Sequence, residues 1–441
     1  MRSRRSAGAA LLAASLTLLA AGGCSDSSAE GRGAPMNVRI YGADGNMNNS
    51  FGESFAQTPG ALAGMKGTTP LTQLPEDFKS RLRAVDDKLT DFTYSAEAYD
   101  AVVISVLAAE LAGTSDSRQL ARFVNSVTNG GELCDTVKSC LKLATKGRDL
   151  RYRGMSLRRS GFTDAGEPST ASYATLHFGE RDQIDDGKTE FVGAGDETAS
   201  SRAQAPATSG TASGGGPLRI GGLLPQTGDG ANVFPPMRAG AALAIQEVNA
   251  AGGALGASVQ WLDGDDGTKP EVAKRTVAAH IARDVNVIIG PATSGVARAV
   301  LPDVVRAGLV LFSPSNTAAD LSSAQDEGLY FRTAPSDALQ GTALADVIMR
   351  DGAQKVVIIA RDDAYGVGLQ ENVRAALLSA GRSEDHIKTM RYPLTGDGPV
   401  DFGAGAREVR GFAPDSVLVI GLSESAAVIR AMAQENINLR S

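Results

Sequence analysis

Histidine and cysteine are scarce in this 441-residue chain, with three of each. A zinc cluster or an iron–sulfur centre needs more such ligands at tighter spacing, so no metal site and no cofactor is expected. Positive charge is not in excess either: 43 Lys and Arg stand against 50 Asp and Glu, a formal charge of −7. Nothing in that balance suggests a polyanion-binding surface, and nucleic acid is not an expected partner. No G-x-S-x-G element is present, and His177, His280 and His386 are far apart in sequence, so catalysis is not expected. What is present is 42% hydrophobic residues, enough for ordinary globular cores, in a length that suggests two or three domains.

The N-terminus reads as an address. Arg2, Arg4 and Arg5 precede an apolar or small run from Ala7 to Ala21, then Gly22-Gly23-Cys24. That run is too short to span a bilayer comfortably as a permanent helix. A basic start, a short apolar region and small residues before a cut site describe a secretory signal. The Cys that follows resembles a bacterial lipoprotein signal, in which Cys24 is lipidated and becomes the mature N-terminus. Ala21 departs from the Leu preferred there, and a plain secretory signal is the alternative. Residues 1–24 are expected to be the signal and 25–35 a flexible tether. Setting Cys24 aside leaves Cys134 and Cys140, which an oxidising compartment would let close a short loop; two buried free thiols are the alternative.

From Leu218 onward, strands alternate with amphipathic helices. Strands are expected at 218–224, 257–263, 285–290, 309–315, 355–361, 387–392 and 416–422. Helices are expected from Pro236 to Gly252, and at 271–283, 294–308, 336–351, 368–380, 401–411 and 424–435. Continuous β-branched runs between such helices imply parallel sheet covered on both faces, an α/β architecture. No strand is read after the last helix, whereas MNVRIYGADG (36–45) is a strand with no helix before it. Joining NINLRS to APMNVRIYGADG completes a β-α-β unit. The rest of the first half is helix-rich, at 74–85, 96–112, 116–127 and 135–145, with a hairpin at 151–180. Residues 193–217, dominated by Gly, Ala, Ser and Thr, have no apolar periodicity and read as a linker.

Three segments of the second half, PLRIGGLLPQTGDGANVFPPMRAGAALAIQEVNAAGGALG, VNVIIGPATSGVARAVLPDVVRAGLVLFSPSNT and GLYFRTAPSDALQG, carry a resemblance. They are similar to the N-terminal part of branched-chain amino-acid ABC-transporter substrate-binding proteins. VRIYGADGN, ALAGMKGTTP, LTDFTYSAEAYDAVVISVLAAELAG and the Cys134/Cys140 loop resemble the C-terminal part of the same family. The resemblance covers nearly all of 36–190 and 216–441. It implies a type I periplasmic-binding fold, two lobes each with a mostly parallel sheet flanked by helices. The order departs from the family, because the C-terminal part comes first. The chain therefore looks circularly permuted: 36–190 completes both lobes, 191–217 joins the family ends, 218–335 forms the bulk of lobe 1 and 336–441 starts lobe 2. A linker of roughly 25 residues has an expected span of about 25–30 Å, enough to bridge ends on one side of the fold. A domain-swapped dimer is the rival arrangement.

In open α/β sheets, ligands bind beyond the carboxyl ends of strands. That rule selects Pro291–Gly295, where free backbone N–H groups and the Ser294 hydroxyl suit a carboxylate; a simple helix cap at Ser294 is the alternative. The resemblance places Ser294 on the family's carboxylate-contacting Ser. It likewise places Ser315 and Thr317 on positions that hold the amino-acid moiety, and Tyr365 on an aromatic that packs on ligand. Asp44 falls on the acid that pairs with the ligand ammonium; a solvated turn Asp is the alternative. Phe234 and Ser423 are weaker matches. Asp263, Asp265 and Asp266 imitate calcium spacing without the full loop pattern and read as a strand-end turn. The resemblance implies a lipid-anchored binding protein on the outer face of a bacterial cell membrane. Its ligand would be an amino acid or related amide, and its partners the membrane subunits of an ABC importer. A sensor module or an exported hydrolase using Ser294 are the alternatives.

Overall fold

The β-branched runs become two sheets. In the computed structural model, which describes residues 34–204, 206, 216–394 and 400–440, one sheet has the strand order Tyr330–Arg332, Val310–Ser313, Val287–Ile289, Arg219–Gly222, Gln260–Leu262, all parallel. The larger sheet runs Ile387–Tyr392, Val356–Arg361, Ser416–Ile420, Met36–Gly42, Lys66–Pro70, Thr170–His177, Glu190–Gly195; its last two strands are antiparallel additions. Cys24 and the expected signal lie outside the described residues, as does most of the tether. Pro35 to Ser441 forms one compact unit.

Each sheet is the floor of one lobe, and each lobe draws on both halves of the sequence. In the first, helix Ser95–Ala112 packs against Phe234–Ala250 and Ser117–Asn129. All but two of its residues are buried and it is apolar all round, as a central core helix must be. Val103, Leu107 and Phe162 thereby share a core with Val287, Ile289 and Phe312. In the second lobe Val38, Ile40 and Phe178 pack with Val357, Val417 and Val419. No single described helix is long and apolar enough to cross a membrane.

Strand Met36–Gly42 lies parallel to Ser416–Ile420, with Arg39 opposite Ser416 and Gly42 opposite Val419. The sequence reading ended the chain without a strand after its last helix. The structure corrects this: Ile437–Leu439 is a short strand paired with Met36–Val38. It also places a strand at Lys66–Pro70 that the pattern hid. This strand is central and buried, and Gly67 is needed there because a Cβ would stand 2.0 Å from the Gly42 carbonyl oxygen.

Two further boundaries move. The expected hairpin at 151–180 holds only a bridge between Phe162 and Pro168; strand Thr170–His177 finds its hairpin partner at Glu190–Gly195. The expected linker at 191–217 therefore begins later. Ser201 is buried and its N–H donates to the Phe162 carbonyl at 2.7 Å, so the chain to that point belongs to the fold. Small residues misled the reading, because Gly193 and Gly195 are ladder positions rather than spacer. Residues 205 and 207–215 lie outside the described residues.

The chain passes between the lobes at 71–75, 163–169, 196–201 and 333–336. Arg332, fully buried at one such passage, binds Glu167 on another with Nε at 2.8 Å, and donates to the carbonyls of Asn316 and Ala318. One guanidinium thus fixes the passages relative to the loop bearing Ser315 and Thr317. A buried ion pair with its remaining donors satisfied favours one geometry.

Cys134 and Cys140 are bonded, tying strand Glu132–Cys134 to helix Val137–Ala144. Thiol labelling of unreduced, denatured protein exported to an oxidising compartment should find neither residue. Replacing both by Ser should lower stability by about 2 kcal/mol on the loop-entropy model; labelling at both positions would contradict the bond.

Candidate functional site

The carboxyl ends of five parallel strands face one another across a narrow cleft. Asp44 and Gly45 follow Met36–Gly42, Arg361 ends Val356–Arg361, and Leu422 follows Ser416–Ile420. From the other lobe, Ala292 to Ser294 follow Val287–Ile289, while Ser315 and Thr317 follow Val310–Ser313. Together with Tyr94, Gly230, Val233, Asp363 and Tyr365 they line a cavity of about 40 Å³. At roughly 10–15 Å³ per water-sized group, that admits three or so, so a larger guest needs the lobes to part.

Five expected residues meet here: Asp44, Ser294, Ser315, Thr317 and Tyr365. Ser294 is not the helix cap. It is the first residue of helix Ser294–Ala307, Thr293 holds the cap position, and the Ser294 hydroxyl accepts the Ala318 N–H at 3.2 Å. Ser315 donates to the Ala292 carbonyl at 2.8 Å, and the Thr317 carbonyl accepts from Asp337 N–H at 2.7 Å. Gly290 lets the Pro291–Thr293 loop turn toward the cleft. Its φ is 124°, and a Cβ there would meet the Leu223 carbonyl oxygen at 1.9 Å.

Asp44 is the most constrained group. It is 5% exposed and opens a short 3₁₀ turn directly after its strand. Tyr94 donates to one carboxylate oxygen at 2.6 Å; Tyr365 at 2.7 Å and the Gln340 side-chain amide at 3.1 Å donate to the other. Among the described residues no Lys or Arg pairs with it. Burial, and then the neighbouring Asp44 charge, push both tyrosine hydroxyls well above their usual range, so both stay protonated as donors. Tyr94 and Asp44 sit on different lobes, so their hydrogen bond spans the cleft.

Two weaker expectations are not brought in. Phe234 packs behind the wall among Tyr94, Leu224 and Met237, and its neighbour Val233 supplies the lining. Ser423 is outside the lining and donates to the Asp229 carbonyl, beside Gly230, at 2.9 Å; Leu422 lines the cleft instead. Asp265 and Asp266 receive backbone N–H groups of their own turn, and Asp263 binds Arg238. Among the described residues no cluster of three or more His, Cys, Asp or Glu is arranged to hold a metal ion. His280 is bonded to the Gly222 carbonyl, and among the described residues no histidine is hydrogen-bonded to Ser294.

Sequence reasoning missed Tyr94, Gln340 and Arg361. Tyr94 stands just before its helix in the left-handed region, φ 61°, outside the helical pattern that sequence periodicity reveals. Arg361 is 3% exposed; Nε binds Asp363 at 2.7 Å and Nη1 binds Glu424 at 2.9 Å. Burial acts to lower its pKa, but Glu424 and Asp363 outweigh it and hold the guanidinium above its ordinary range.

Two further acids are buried outside the cavity lining. Burial raises Asp266, which accepts the Ala292 N–H at 3.0 Å, to about 7, and Glu97 on the first turn of Ser95–Ala112 to about 8. Between about pH 4 and these values the native state keeps protons that the unfolded chain has released. Stability from these groups should therefore be complete at low pH and fall by about 1.4 kcal/mol per pH unit for each group as pH rises toward 7–8. Melting temperature measured from pH 5 to 9 should decline, and Glu97→Gln should flatten the decline near pH 8. A melting temperature that rises over that window would contradict the assignment.

Residues 217–441 match the periplasmic binding protein family. A Leu/Ile/Val-binding protein homologue of Brucella melitensis is 30% identical over 188 residues, 42% of this chain and 50% of the relative. An amino acid binding protein of Pseudomonas aeruginosa is 27% identical over 224 residues, 50% of this chain and 58% of the relative. The aligned stretch thus spans about half the length of such relatives. Among solved structures, the branched-chain amino acid binding protein LivJ of Streptococcus pneumoniae, in complex with isoleucine, superposes with a TM-score of 0.43 at 25% identity. It covers 50% of this chain and 62% of that one. With the family matched over half its length and two parallel α/β lobes facing one cleft, the chain belongs to the periplasmic binding proteins, a family of extracytoplasmic binding proteins rather than enzymes.

Proposed function

We propose that this is a lipid-anchored solute-binding protein that captures an amino acid between its lobes and delivers it to an ABC importer. The observation that carries this reading is the unpaired carboxylate of Asp44. It faces, across about 40 Å³, the Ser294 hydroxyl, Thr317 and the free N–H groups of a helix start. Neutral donors on one lobe and a carboxylate on the other complement a zwitterion. Ser294, Thr317 and nearby backbone N–H groups take the ligand carboxylate, and Ser315 helps to shape that wall. Asp44 takes the ammonium, and Tyr365 covers it. Closure follows the hinge at the interlobe passages, because neither lobe alone presents both charges. The names of the relatives, a Leu/Ile/Val-binding protein homologue and an amino acid binding protein, support an amino-acid ligand.

The anchor in this reading is Cys24, whose lipoprotein-like sequence context supports a location on the outer face of the cell membrane. The permuted order is part of the same reading. Residues 36–190 supply helices to one lobe and strands to the other, the share that the family's C-terminal part supplies. The strand pair Met36–Gly42 and Ser416–Ile420 is the joint between the two parts.

An ammonium and a carboxylate each cost several kcal/mol to bury unless paired. Asp44→Ala should weaken binding of the best amino acid, found by thermal-shift screening, by roughly 2–5 kcal/mol. Ser294→Ala should cost about 1–2 kcal/mol, since its backbone donors remain. Calorimetry decides. Binding by Asp44→Ala within about twofold of wild type would remove Asp44 as the ammonium partner.

A further inference from the structure

Within the amino-acid reading above, the ligand's head group occupies Ser294, Thr317 and Asp44. Its side chain then lies against the remaining wall, which includes Val233, Ala292, Leu422, Arg361 and Asp363. Most of the groups lining this wall are small or apolar. Arg361 is not. It is only 3% exposed, yet it lines the cavity.

A guanidinium has five N–H donors in a planar fork. Nε is spent on Asp363 and Nη1 on Glu424, whose carboxylate also accepts from Tyr392 at 2.8 Å. Nη2 makes no hydrogen bond to the described residues. A ligand that displaced water from this wall would leave that donor without an acceptor, which is costly, and the lining includes the apolar Val233, Ala292 and Leu422. An aliphatic side chain closing over it would complete its desolvation and give nothing back. An acceptor on the ligand would satisfy it.

The charge count says which acceptor. Around the cavity stand three carboxylates, Asp44, Asp363 and Glu424, against the single guanidinium of Arg361. An acidic side chain would bring a fourth carboxylate into that group, so a neutral acceptor is favoured. Asp363 borders the same cavity and carries spare acceptor capacity beside its bonds to Arg361 and the Gly366 N–H. One neutral group matches an adjacent donor and acceptor at once. A carboxamide accepts from the guanidinium through its carbonyl and donates to the carboxylate through its NH₂. We infer that Arg361, with Asp363, is the specificity-determining element of this cleft and selects an amino acid with a carboxamide side chain over aliphatic, acidic or basic ones.

The mature protein is titrated calorimetrically with glutamine, asparagine, leucine, glutamate and lysine. Glutamine or asparagine should bind at least tenfold more tightly than each of the other three. Arg361→Lys keeps the charge that balances Asp363 and Glu424 but loses the fork, and should reduce that preference to below about threefold. Its thermal melt reports whether it is folded, and the wild-type ranking tests the inference whether or not it folds. Leucine, glutamate or lysine binding tightest to the wild type overturns the role of Arg361 while leaving the amino-acid reading intact. A full preference retained in folded Arg361→Lys does the same. Failure of every amino acid to bind overturns both.

Discussion

A carboxylate buried without a cation is expensive, and the structure is organised around one. Asp44 sits at a strand end among two tyrosine hydroxyls and a glutamine amide. Three neutral donors soften the cost of its burial without cancelling its charge. Those donors come from separate stretches of chain: Tyr94 before a core helix of one lobe, Gln340 and Tyr365 on helices of the other. The Tyr94 contact bridges the lobes, so the charge that suits a ligand ammonium also bears on how closely the lobes approach. Asp337 adds to this. It lies buried near Thr317, and burial followed by the Asp44 charge drives its carboxyl well above the usual range, which keeps a second negative charge from forming beside the first.

Bringing these groups together requires that each lobe be built from distant sequence. The larger sheet places Met36–Gly42 between Ser416–Ile420 and Lys66–Pro70, and parallel register aligns their carboxyl ends. Asp44 and Leu422 consequently emerge at one edge. The other lobe needs helix Ser95–Ala112 to cover strands that begin beyond residue 218. Its N-terminus delivers Tyr94 to the cleft. Arg332 then joins two of the interlobe passages.

Much of this was legible because the second half alternates β-branched runs with amphipathic helices, and burial on both faces leaves that signature. Val356–Arg361 and Ile387–Tyr392 fall within a residue of their expected limits. The pattern failed where a central strand is polar: K-G-T-T-P at Lys66–Pro70 is buried by its neighbours in the sheet, not by its own hydrophobicity. Glu190–Gly195 failed for a related reason, since its glycines satisfy a ladder that the sequence does not announce. Helix Ala364–Ser379 begins four residues ahead of its expected start, because Asp363 caps it by accepting the Gly366 N–H, which puts Tyr365 in its first turn. Within the site, loop residues after strands were found by the strand-end rule together with family resemblance. Tyr94, Gln340 and Arg361 were not, because nothing local distinguishes a cleft-facing polar group from one satisfied inside the fold. Phe234 and Ser423 illustrate the converse: each is one residue from the side chain that lines the cavity.

The central claim is that the ligand ammonium and Asp44 are coupled. A double-mutant cycle measures that coupling directly, using wild type and Asp44→Asn. Each is titrated with the best-binding amino acid and with its analogue carrying hydroxyl in place of the ammonium. Asn keeps an acceptor oxygen for only one of the two tyrosines, but that change is common to both ligands and cancels in the cycle, which isolates the coupling to the ammonium. If Asp44 is the counter-ion, the two changes should be non-additive by at least about 1.5 kcal/mol, with the analogue losing far less affinity in Asp44→Asn than in wild type. Additivity within roughly 0.5 kcal/mol would contradict it.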